Sequence, residues 1–293
     1  MHTHGSQIAQ AGAGTFTELW SPGFMLMLVV VGVLYTLAVT RWRYHFAGNE
    51  QTGFKQQAWF LGGLAIWYAA EGSPISFYGH HYSFSAHMLQ QSMLYLIMPP
   101  FLLLGMPGWL LRGAIRGKTA DRMMRFVTSP LVSLFTFNLI FSMYHMPKIM
   151  DFLMAHAMLM LLYQIVFLLA AFQMWFPVFC PLPEYNQMSE LKKLGYIFLN
   201  GILLTPACAL IIFASHPMYA MYANVPEQYL LLPIIDDQQL GGVIMKIIQE
   251  IVYGVALAHT FFKWYRTERK KEEEEDLLPN SAYLHPQGNT NGA

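Results

Sequence analysis

Long apolar runs separated by short polar or basic stretches dominate this chain. Seven runs stand out, at positions 24–40, 58–70, 83–105, 126–144, 149–178, 194–215 and 242–264. A helix needs about 20 apolar residues to cross a hydrocarbon layer of ~30 Å. The second run reaches that length only when it is extended back through Gln57 and forward through Glu71. The pattern therefore predicts an all-α fold, a polytopic membrane helical bundle with about seven transmembrane helices.

Basic residues fall in alternating connections between these runs. Lysine and arginine in short loops stay on the cytoplasmic side of a membrane. With seven spans and the N-terminus outside, only Lys148 and Lys246 of the 17 basic residues lie outside or at the outer edge. The sequence thus predicts an extracellular N-terminal segment (1–20), a seven-helix transmembrane domain (21–266) and a charged, disordered cytoplasmic tail (267–293).

Composition supports a lipid environment for most of the chain. Hydrophobic residues make up 55% and charged residues only 12%, whereas soluble domains are about 25% charged. Because 17 basic and 17 acidic side chains cancel, nothing in the net charge favours a nucleic acid partner. The two cysteines, Cys180 and Cys208, match no CxxC pattern and indicate neither a disulfide framework nor a thiolate metal site.

The histidines are unevenly distributed under this topology. Those outside or in the outer half of the membrane are His2, His4, His80, His81, His87, His145, His156 and His216. At ~1.5 Å rise per residue, His87 lies about 6 Å into the third helix and His156 about 10 Å into the fifth, while His145 ends the fourth. One such histidine is commonly a hydrogen-bonded core residue. Three that converge at one depth predict a metal site.

Amide side chains follow two of these histidines at helical spacing. His87 and Gln91 are i, i+4 neighbours on the third helix, and Gln164 comes two turns after His156 on the fifth. Residues at this spacing share a helix face. Gln91 and Gln164 are therefore expected next to the metal ligands.

Methionine would make such a site suitable for copper. Met88 and Met245 are the thioether candidates, and soft thioether together with imidazole selects cuprous copper. Methionine is also a common gap-filler in cores, so each is a weaker candidate than the histidines. Asp237, just before the seventh run, is either a helix N-terminal cap or a carboxylate that orients a ligating histidine.

A second polar pair interrupts the seventh run. Glu250 is costly in lipid, but Lys246 stands four residues earlier and is placed to neutralise it. A local ion pair is the expected arrangement.

The motifs together resemble a known family, the CtaG-type assembly factors of cytochrome c oxidase from Gram-positive bacteria. The likeness extends from about Trp20 to Trp264. It is carried by Glu18-Leu19-Trp20-Ser21-Pro22, Phe84-Ser85-Ala86-His87-Met88, Pro99-Pro100, Leu104-Gly105, Phe137-Asn138, His145-Met146-Pro147, His156, Trp175 and Asp237-Gln238-Gln239-Leu240-Gly241-Gly242 to Met245.

This resemblance implies a non-enzymatic, multi-pass protein of the plasma membrane. It would serve the maturation of a haem-copper oxidase by supplying copper to one of its centres. Its partners would be oxidase subunits and a copper chaperone. The chain departs from the family at Gln91 and Gln164, where relatives often carry histidine or an acidic residue.

Two other function classes are less well supported by the sequence. A transporter or permease for a metal ion or small molecule would need a polar path to the inside. The inner halves of the runs offer little beyond Asn200, Gln249 and His259. An intramembrane enzyme would be either a metalloprotease or a haem-handling protein. A zinc protease would need an HExxH motif, which the sequence lacks, whereas the spacing of the histidines leaves bis-histidine haem ligation open.

Overall fold

The computed structural model describes residues 14–45, 51–113, 115 and 117–277. Within these residues every regular element is helical. We number the α-helices α1 Phe16–Trp20, α2 Pro22–Thr40, α3 Phe54–Glu71, α4 Pro74–His81, α5 Phe84–Gly105, α6 Gly108–Arg112, α7 Lys118–Val127, α8 Pro130–Tyr144, α9 Pro147–Met154, α10 Ala157–Trp175, α11 Glu190–Ile212, α12 Ala220–Ala223 and α13 Ile234–Leu277. Short 3-10 turns lie at Arg43–His45, Pro183–Tyr185 and Glu227–Tyr229.

Helix α5 is the central element of the bundle. Of its most apolar stretch 72% is buried, against 22–39% for the other candidate spans. Gly105 at its end lets α3 approach closely, because an added Cβ would lie 2.3 Å from the Phe60 nitrogen. The Tyr35 hydroxyl of α2 donates to the Gly105 carbonyl oxygen at 2.7 Å. The side chains of α5 are therefore enclosed by the neighbouring helices.

A π-helical segment, Met93–Ile97, lies within α5 and is separated from Pro99-Pro100 by Met98 alone. The Tyr95 carbonyl oxygen can use neither the i+4 nor the i+5 donor, because both positions are proline and lack an N–H. The Trp175 indole of α10 donates to this oxygen instead, at 3.2 Å. A side chain of a neighbouring helix thus makes the double proline tolerable inside the bundle.

In the part of the chain that the structure describes, five helices are long and apolar enough to cross a membrane, within Phe16–Thr40, Phe84–Gly105, Ala157–Trp175, Glu190–Ile212 and Glu227–Glu275. The bent pair α7 and α8, at 61° to each other, makes a sixth if counted as one span. The second predicted run corresponds to α3, which has 18 residues but includes Lys55, two glutamines and Glu71. The described helices thus agree with a polytopic helical membrane protein. Helix α3 is not among the candidate spans, so the predicted total of seven crossings is not reached.

The fifth predicted run, 149–178, is not one helix. It divides at Ala155 and His156 into α9 and α10, and His156 has a non-helical backbone. The His156 Nδ1 donates to the Phe152 carbonyl oxygen at 2.8 Å, which satisfies one of the terminal carbonyls of α9. The prediction that His156 lies about 10 Å into a continuous helix is therefore wrong.

The last helix is longer than the apolar pattern predicted. Disorder was expected over 267–293, yet α13 continues to Leu277. Arg269 pairs with Glu273 at 2.9 Å, and Lys271 pairs with Glu268 at 3.4 Å. Ion pairs at i, i+3 and i+4 favour helix in this stretch. Residues 278–293 of the predicted tail, like 1–13 of the predicted N-terminal segment, lie outside the described residues.

Candidate functional site

The candidate site lies at the N-terminal end of α5 and is built around His87, which is fully buried. The Tyr144 hydroxyl of α8 lies 2.9 Å from His87 Nε2, and the Gln91 amide nitrogen lies 3.0 Å from the same atom. The i, i+4 relation predicted for His87 and Gln91 is confirmed. His87 Nδ1, by contrast, has no hydrogen-bond partner among the described residues.

The histidine ring closest to His87 is that of His80, from helix α4. The two ring centroids are 5.7 Å apart and the planes are nearly perpendicular, at 83°. Helices α4 and α5 form a tight hairpin, because Gly79 lies directly against the His87 backbone: an added Cβ would come within 2.9 Å of it. His80 was expected on the outer side of the membrane but not in the site. The short separation of seven residues between His80 and His87, across a turn, could have indicated that the two rings lie close together.

Four of the described histidines make the same contact with the backbone. In each, Nδ1 donates to the carbonyl oxygen four residues earlier, at 2.7–2.8 Å: His80 to Ser76, His81 to Phe77, His145 to Phe141 and His156 to Phe152. This contact fixes the proton on Nδ1 and leaves the lone pair of Nε2 available as a ligand. The His145 Nε2 is buried and has no partner within the described chain. The backbone thus holds His80 and His145 in the tautomer that a metal ligand requires.

Tyr144 contacts both His87 and His145. The Tyr144 and His145 rings have centroids 5.4 Å apart, and the Tyr219 hydroxyl donates to the His145 carbonyl oxygen at 2.9 Å. His156 is exposed and caps α9. In the described part of the chain, no three His, Cys, Asp or Glu side chains are grouped to hold a metal ion. The expected convergence of His87, His145 and His156 is therefore wrong.

The two predicted methionines are both buried. Met88 packs against Gly241 of α13, where an added Cβ would lie 3.0 Å from the Met88 Cγ. Met245 lies one turn further along α13 and is 1% exposed. Gln164 lies on α10, partly buried, and forms no hydrogen bond with any described residue. Among the predicted neighbours of the ligands, Gln91 contacts His87 and Gln164 does not.

Asp237 binds the start of α5 rather than a histidine. Its Oδ1 accepts from the Ser83 and Ser85 hydroxyls at 3.0 and 2.5 Å. Its Oδ2 accepts from the Phe84 and Ser85 backbone N–H groups at 2.7 and 3.3 Å. A carboxylate at a helix N-terminus satisfies free N–H groups and complements the helix dipole. Asp237 thus joins α13 to α5, in place of the expected cap of its own helix or contact with a ligating histidine.

Aromatic side chains close the site over the His87 ring. Tyr222 of α12 donates through its hydroxyl to the Gly79 carbonyl oxygen at 2.6 Å, and its ring centroid is 6.2 Å from that of His87. Tyr219 stacks on Phe84 at 4.7 Å. Tyr144, Tyr219 and Tyr222 were not predicted as site residues, because tyrosine in a loop or at a helix end carries no periodic signal. Only the adjacency of Tyr144 to His145 could have indicated one of them.

Comparison with known proteins identifies the family. No curated protein and no solved structure matches the chain. The model of the cytochrome c oxidase caa3 assembly factor family matches residues 33–267, which include every residue of the candidate site. The resemblance noted from the motifs is confirmed, and the chain belongs to the cytochrome c oxidase caa3 assembly factor family.

Proposed function

We propose that this assembly factor takes up a copper ion as cargo at His87, that the nearby His80 and His145 move to ligating distance when the ion binds, and that the ion then passes to a cytochrome c oxidase subunit. The observation that carries the proposal is the pair of buried imidazole nitrogens without hydrogen-bond partners among the described residues, His87 Nδ1 and His145 Nε2. A buried polar atom without a partner is costly and is commonly explained by an ion or ligand that uses it.

The chemistry of the donor set favours cuprous copper. Imidazole and thioether are ligands that this ion accepts, whereas a hard cation would require carboxylate or carbonyl oxygens. Asp237 directs both carboxylate oxygens to the start of α5, and Met88 follows His87 in the chain. A small number of soft ligands also suits transient binding, because cargo must be released to the oxidase. Family membership favours this assembly role over the transporter alternative.

The test is the copper content of the purified protein after anaerobic loading with cuprous ion and removal of loosely bound metal by a chelator. We expect near-stoichiometric copper in the wild type, little in His87→Gln and weakened retention in His80→Ala. His156→Ala is the matched control, because His156 makes the same backbone contact as His80 but lies outside the site. Copper retained by His87→Gln, or lost equally from His156→Ala, would contradict the proposal.

We further propose seven membrane crossings in the plasma membrane, with the N-terminus outside and the C-terminus cytoplasmic. Helix α3 would be the crossing that brings the count to seven, because its 18 residues are just long enough to span the hydrocarbon layer. The support is the distribution of the basic residues, of which only Lys148 falls on the other side, while Lys246 lies within α13 and is paired with Glu250. The copper site would then face the compartment outside the cell, where oxidase subunits or a copper chaperone could reach it.

A further inference from the structure

An ion pair lies on the outer surface of α13, in the middle of its apolar stretch. Lys246 Nζ is 2.5 Å from Glu250 Oε1, as the i, i+4 spacing predicted, and the same Nζ donates to the Thr205 hydroxyl of α11 at 2.8 Å. The two side chains differ in exposure: 28% for Lys246 and 62% for Glu250. The lysine is thus directed toward α11, and the carboxylate is the charge left on the surface.

This carboxylate lies close to the midplane of the membrane. At ~1.5 Å per residue, Glu250 is about 24 Å from Ile234, where α13 begins, and about 20 Å from Lys263, the first basic residue toward its C-terminal end. These two distances together match the ~40–45 Å thickness of a whole bilayer. A charged group at that depth normally faces the bundle interior or a water-filled cavity. Contact with acyl chains alone leaves Glu250 poorly solvated.

The face around Glu250 has the composition of a helix-packing surface. Ile247, Glu250, Ile251, Gly254, Val255 and Ala258 follow the spacing of a single helix face, and all are exposed. A Cβ added at Gly254 would meet no atom within 4 Å. Small residues allow another helix backbone to come close, and a polar group then forms an interhelical hydrogen bond. We call these six residues the Glu250 face.

A second copy of this chain does not fit the Glu250 face well. A two-fold axis along the membrane normal would bring Glu250 of each copy to the same depth, and like charges repel in a medium of low dielectric. The complementary partner is a helix that carries a hydrogen-bond donor at mid-depth, such as a lysine, histidine, amide or hydroxyl side chain.

We infer that the Glu250 face is the docking surface for a transmembrane helix of the client, with a donor side chain of that helix bound to the Glu250 carboxylate. The docking geometry is independent of copper. Only the identification of the client as an oxidase subunit rests on the proposed function. Docking on α13 would place the client on the helix that supplies Asp237 and Gly241 to the copper site.

Photo-crosslinking in cells that make the oxidase tests this inference. A photoreactive amino acid at position 251 should give an adduct with an oxidase subunit, whereas the same residue at Leu139, exposed on α8, should not. The double variant Lys246→Met, Glu250→Leu should reduce the adduct at least fivefold while the purified protein remains folded, since matched apolar side chains commonly replace an ion pair without loss of stability.

The outcomes separate this inference from the copper proposal. An adduct that survives the double variant, an equal adduct from position 139, or an adduct with a second copy of this chain would overturn the docking surface. Copper content is measured on the same samples. If the double variant loses the adduct but retains copper, docking is a property independent of copper binding. If the wild-type protein forms the adduct but takes up no copper, the docking surface stands and the copper proposal fails.

Discussion

At the scale of single residues, Asp237 is the side chain on which the geometry of the site depends most. Replacing it with alanine removes four hydrogen bonds from the first turn of α5. Hydrogen bonds to charged groups contribute about 1.5–3 kcal/mol each after exchange with water, and bonds that share one carboxylate are not additive. We expect Asp237→Ala to lower the free energy of unfolding by about 2–4 kcal/mol, measured by thermal unfolding in detergent. Asp236→Ala is the control, since Asp236 is exposed; an equal loss there would contradict this account.

A second residue-scale prediction concerns pH. The Arg112 guanidinium binds Glu184 through two hydrogen bonds, at 2.6 and 2.9 Å, and lowers the pKa of that carboxyl from 4.5 to about 2. Because the folded pKa lies below the unfolded one, this pair stabilises the protein above pH 4.5 and the stabilisation is lost as pH falls toward 2.

The comparison of wild type with Glu184→Gln checks this sign. Both groups are substantially exposed, so the effect should be small. The variant should unfold at a slightly lower temperature than wild type at pH 7, and the difference should shrink at pH 3. A difference that grows on acidification would contradict the assignment.

At the scale of elements, α7 differs from the spans. It carries Lys118, Arg122 and Arg125, while Met123 and Phe126 are 67% and 66% exposed, and it bends by 61° from α8. Lys118 and Arg122 form no ion pair with the described residues, which leaves them available for lipid phosphates. A helix with charged and apolar faces lies in the membrane interface rather than across it.

Spin labels placed along α7 would test this interfacial position. A label at Met123 should be accessible to oxygen, which concentrates in lipid, and a label at Arg122 to a water-soluble relaxation agent. Equal water accessibility at both positions would show that α7 lies free of the membrane.

At the scale of the whole molecule, the proposed topology predicts which loops an impermeant thiol reagent can reach. With Cys180 and Cys208 replaced by serine, Asn224→Cys should react in intact cells. Gln187→Cys should react only after permeabilisation, because it would lie in a cytoplasmic loop. The reverse pattern would invert the topology and place the His87 site at the cytoplasmic surface.

The candidate site was only partly predictable. His87 and Gln91 belong to one helix, and a spacing of four residues determines that they meet. His156 was misplaced because an apolar run does not reveal where a helix ends. His80 and Tyr144 were missed because their contact with His87 depends on how α4 and α8 pack against α5.

The sequence by itself determined the helical class, the membrane environment and the family, because apolar periodicity and ordered motifs are local properties of the chain. The tertiary structure alone decided which histidine lies beside His87, that Asp237 holds the start of α5, and that Glu250 lies on the surface of α13. The physical reason is that these contacts join residues up to about 150 positions apart. Helix crossing and rotation bring such residues together, and no periodicity along a single helix encodes them.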